Sequence, residues 1–171
     1  MRPMSEAPRD GTVIIVLWDE KLGVSEPAAY DQKDGWCCLA AMANGEMSIE
    51  GAVEIEHAYG WVPMPVQPKN GRHDWIEDQI APANPAPPWL PVSQVPRDGT
   101  VIMLLSSAVT GIVTPVCYIQ EDNAWHLCDE QRDGDLGIEP DIFHPLKGYG
   151  WLPLPVQPKW TTRHFSHAAF H

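Results

Sequence analysis

Two charged dipeptides, Arg9-Asp10 and Arg97-Asp98, occupy the same place in two copies of one string, Pro-Arg-Asp-Gly-Thr-Val-Ile, at Pro8 to Ile14 and at Pro96 to Ile102. The chemistry open to them is ligand clamping, in which a planar guanidinium grips a phosphate or carboxylate through paired N–H donors. The architectural alternative is that each aspartate bonds turn amides while each arginine lies over Trp61 or Trp151. Retention in both copies shows that the module needs the pair, and folding is itself such a need. The other reactive side chains give less. Seven histidines are present, and only His164, His167 and His171 approach ligand spacing, within a terminal tail expected to fray. The four cysteines, Cys37, Cys38, Cys117 and Cys128, show no C-x-x-C spacing and read as buried reduced thiols rather than a zinc knuckle.

No glycine-rich phosphate loop, G-x-S-x-G elbow or H-E-x-x-H helix occurs, so the sequence assigns no catalytic residue, metal or cofactor. The expectation is a non-enzymatic protein. Of the eight tryptophans, Trp36 aligns with Trp125 and Trp61 with Trp151, while Trp89 stands where the first copy has Met1. Most should be core. Trp18 (whose counterpart is Ser106), Trp75 and Trp160 have no equivalent and join the Arg-Asp pairs as candidate ligand- or partner-binding residues.

The elements that must position these residues follow from the repeat. A second shared string, from Tyr59 to Lys69, answers Tyr149 to Lys159. The copies lie 88 residues apart at the front (Pro8 against Pro96) and 90 at the back (Tyr59 against Tyr149), a net insertion of two. The chain is therefore a tandem duplication: a first module over 1–69, a linker over 70–88, a second module over 89–159 and a tail over 160–171. The linker carries a short helical turn expected at His73 to Ile80 and a proline-rich spacer, Gln79 to Pro88, of semi-rigid extended character. At about 70 residues a module is near the lower limit for an independent core, so the copies should pack on each other or on those of a second chain, as a homodimer.

Within a module, Pro8 to Gly11 reads as a turn, and Thr12 to Trp18 as a fully buried strand because it is β-branched and continuously apolar. Thr100 to Leu105 is its equivalent. Ala28 to Tyr30 and Trp36 to Leu39 form a hairpin about the Asp31 to Gly35 turn, as do Val113 to Tyr118 and Trp125 to Cys128. The offset grows from 88 at Tyr30/Tyr118 to 89 at Trp36/Trp125, which puts one inserted residue in this turn. Ile49 to His57 fits either strand or short helix. Gly60 to Pro65, with alternate prolines, fits only an edge strand or an extended arm. The fold class is mainly β: two small antiparallel modules, SH3-like barrels or compact sheets, related by pseudo-two-fold symmetry, with little helix.

The net charge of −12 excludes a phosphate-binding surface of clustered basic residues, so no direct nucleic-acid contact is expected. The acids are too scattered for a DNA mimic. No apolar run approaches a membrane span, and the N-terminus lacks the apolar core of a signal peptide, so the expected location is the cytoplasm. The order of signals, with Trp-Leu-Pro-Val-Ser-Gln-Val-Pro-Arg-Asp-Gly-Thr from Trp89 and Gly-Trp-Leu-Pro-Leu-Pro from Gly150, resembles a group of small phage and prophage proteins of unknown function. Those proteins open with W-x-P-I/M-x-x-A-P-K/R-D-G-T and close with W-x-P-L-P. The resemblance covers both modules and implies a phage source and a small β-rich unit; it carries no catalytic residues. Met1 departs from it by standing where the opening Trp belongs. The functional expectation is a binding protein of phage or prophage origin, acting as a counter-defence inhibitor of a host protein in the host cytoplasm. The alternative is a small-molecule sponge that holds an anionic nucleotide between the modules, against Arg9, Arg97 and tryptophans.

Overall fold

A run as uniformly apolar as Val13 to Leu17 needs cover on both faces. The computed structural model describes residues 1–41, 47–65, 87–106, 111, 113–121, 123–130, 136–143 and 148–158, and it gives the run that cover. Among the described residues, ten strands form two antiparallel five-stranded sheets. In the first, β1 (Ile14–Leu17), β2 (Ser25–Asp31), β3 (Gly35–Ala41) and β4 (Met47–Ala52) make a meander, and β5 (Gly60–Pro63) returns to the other side of β1. In the second, β6 (Ile102–Leu105), β7 (Val113–Ile119), β8 (Ala124–Glu130), β9 (Leu136–Phe143) and β10 (Gly150–Pro153) repeat the same order. The expected class, two tandem β modules, is the observed one.

Side chains alternate across a strand, and both first strands use the two faces differently. Val13, Ile15 and Leu17 share one core with Val101, Met103 and Leu105, between the sheets. Ile14 and Val16 turn to the far side of the first sheet, among Trp36, Ile55 and Trp61. Ile102 and Leu104 do the same in the second, among Tyr118, Trp125 and Trp151. Each such side chain contributes about 1.5–3 kcal/mol on burial, so the two first strands hold the molecule together in both directions.

The modules meet reciprocally. A Cβ built on Gly23 would touch Leu154, Met103 and Pro115; one built on Gly111 would touch Met64, Ile15 and Pro27. Each residue of one set is the repeat equivalent of a residue in the other. That is the contact pattern of a two-fold interface, here inside one chain. Both glycines have positive φ, +69° and +68°, a conformation costly for any residue with a Cβ.

The repeated strings have structural roles. Trp61 donates its indole N–H to the Pro3 carbonyl oxygen at 3.1 Å, and Trp151 donates to Pro91 at 3.0 Å. Backbone bridges join Arg2 to Trp61 and Leu90 to Trp151. The opening and closing motifs of each module are thus bonded to one another, beside a proline-bearing edge strand of the expected kind. Gln157 clamps the start of β6: its amide accepts from the Val101 N–H and donates to the Val101 carbonyl, both at 2.8 Å.

Both inserted residues can be placed. The β2–β3 loop has three residues between Asp31 and Gly35, and the β7–β8 loop has four between Ile119 and Ala124. The second insertion is in a bulge. Cys38 to Leu39 faces one extra residue between Gly51 and Ile49, whereas His126 to Cys128 faces Ile142 to Ile138, a longer bulge in β9. The ambiguous segment Ile49 to His57 divides into the end of β4 and a 3-10 turn at Ile55–His57. In the counterpart, Leu136 to Pro145, two prolines and a glycine weigh against a helix, and most of the segment is β9, an edge strand whose bulge includes Pro140. The helical turn expected at His73 to Ile80, most of the spacer and the C-terminal tail lie outside the described residues.

Candidate functional site

Asp-Gly after proline makes a turn in which the carboxylate can cap the amide two residues on. Asp10 Oδ1 accepts the Thr12 N–H at 3.0 Å, and Asp98 Oδ1 accepts the Thr100 N–H at 3.0 Å and the Thr100 hydroxyl at 2.6 Å. The threonine hydroxyl, then the threonine amide, hold each carboxyl below the usual carboxylate range. These aspartates do what the architectural reading asks of them.

The arginines depart from it. Arg9 lies over Tyr30, with its guanidinium carbon 5.3 Å from the ring centre, and Arg97 lies over Tyr118 at 5.4 Å. Neither takes the tryptophan expected for it. Trp61 already has Arg2 over its face at 5.1 Å and the Pro3 carbonyl on its indole nitrogen. The tyrosines stand on the strand next to β1 or β6, with side chains in or beside the outer clusters. Tyr30 meets Trp36 edge-on at 5.5 Å and Tyr118 meets Trp125 at 5.3 Å. Each module thus carries an arginine–tyrosine–tryptophan array on the face turned away from the shared core. A guanidinium held over a ring still has N–H donors to offer a carboxylate or phosphate. The structure does not bring Arg9 and Arg97 together; the layer between the sheets, where the nucleotide reading needs both, is the apolar core.

Trp18 is half-buried at the margin of the first outer cluster. Its indole N–H donates to Glu26 Oε2 at 3.3 Å, and the Cys38 thiol donates to the same oxygen at 3.0 Å. Burial, and then the Glu26 carboxylate, push the Cys38 thiol up to about 12, well above a reactive thiol. Ser106, Thr114 and Leu127 occupy the equivalent places in the second module, so this cluster belongs to the first alone. Sequence reading missed Glu26 and Cys38. The available signal was the period-two pattern that puts Glu26 on one face with Ala28 and Tyr30. Trp75 and Trp160 lie outside the described residues.

None of the four cysteines is in a disulfide, and Cys37, Cys117 and Cys128 are buried as expected. A hydrogen bond to Cys117, together with burial, raises Cys128 strongly. Buried His126, at the position equivalent to Cys37, donates from Nδ1 to the Glu139 carbonyl oxygen in the β9 bulge at 3.0 Å. Among the described residues no three His, Cys, Asp or Glu side chains are grouped to hold a metal ion, and no helix is long and apolar enough to cross a membrane. No family model, curated protein or solved structure matches this chain.

Proposed function

We propose that this chain is a non-enzymatic binding protein that offers two like sheet faces to a protein partner. The observation that supports the reading is the reciprocal packing around Gly23 and Gly111, which buries the apolar first strands between the modules and leaves an exposed arginine, Arg9 or Arg97, over a tyrosine on the outer side of each sheet. Arginine is among the side chains most enriched where interfaces hold their binding energy. Two such faces on one chain suit either two partner molecules or one partner with two-fold symmetry. Trp18, Glu26 and Cys38 make the first face differ from the second, and the difference would set which face binds more tightly.

The resemblance to phage proteins gives this binding a direction: the partner is a protein of a bacterial host, and the chain acts as a counter-defence inhibitor in the host cytoplasm. The test is capture from bacterial lysate on immobilised full-length chain, with mass spectrometry and a native mass of the complex. The expected result is a stoichiometric host protein that is lost when Arg9 and Arg97 are both changed to Ala. Absence of any stoichiometric partner, or full capture by the double variant, contradicts the reading.

A further inference from the structure

We draw no further inference here: the strongest candidate, the outer edge of β4, where Ile49 is 59% exposed and no strand pairs beyond it among the described residues, carries none because nothing in the structure shows what covers it.

Discussion

The two modules of this chain are copies of one sequence, and they differ in an ordered way. The first strand, the Asp-Gly turn, the arginine over tyrosine and the tryptophan bonded to a proline carbonyl occur in both. What has diverged is the margin: Trp18, Glu26 and Cys38 against Ser106, Thr114 and Leu127 on the outer face, and Ser25 and Ala40 against Val113 and Asp129 at the seam. The shared features are those each sheet needs to close its own core and to pack on its twin. The unshared ones are not required in both sheets, and they make the two halves unlike at their margins.

The comparison can be broken first at its strongest point. Ile15→Asp and Met103→Asp each place an unpaired carboxylate in the common core, and each should cost more than about 4 kcal/mol, abolishing the cooperative urea transition of the whole chain. If only half of the unfolding amplitude were lost, the modules would be independent. Gly23→Ala and Gly111→Ala sharpen the picture. Both require a Cβ at positive φ, costing about 1–2 kcal/mol, and Gly23→Ala should cost more, because its new Cβ would lie 3.1 Å from Leu154 against 3.5 Å from Ile15 and Pro27 at Gly111. Equal midpoints for the two variants would contradict the described packing.

Smaller effects come from the features kept in both modules. Trp61→Phe and Trp151→Phe each leave a proline carbonyl without its indole donor, a loss of about 1 kcal/mol that should be equal in the two modules by chemical denaturation. The smallest effect is acidic. Asp10 and Asp98 have folded pKa values below their ordinary ones. Their stabilising effect is therefore complete above the ordinary carboxylate range and disappears as pH falls through the lower folded value. Asp10→Ala combined with Asp98→Ala should lower the thermal midpoint slightly at pH 7, and the difference should shrink as pH falls below the ordinary carboxylate range. A difference that stays constant as the pH falls would mean that the turns are held by something other than the ionised carboxylates.

Much of the fold was legible because the repeat prints every signal twice. The continuous apolar runs at Val13 and Val101 announced strands buried on both faces, and the alternate prolines after Trp61 and Trp151 announced edges. The first insertion was legible in the hairpin offset. The second was not, since a bulge is defined by what lies across the ladder, and single-strand periodicity contains no cross-strand register. The arginine contacts failed for a related reason: Tyr30 is distant from Arg9 in sequence and is brought close only by the pairing of β1 with β2, while Trp61 is occupied by Arg2 from the opening segment. The contacts around Gly23 and Gly111 were illegible altogether, because each joins residues of different modules that come together only through the packing of two sheets.

The central claim is that the sheets share one core and so one stability. Hydrogen exchange by mass spectrometry on Met103→Ala, a change confined to the second module, tests it most directly. The account predicts that amides of Ile14 to Leu17 and of Ile102 to Leu105 lose protection together and by similar factors. Loss confined to the Ile102 to Leu105 strand, with the first strand as protected as in the wild type, would contradict it.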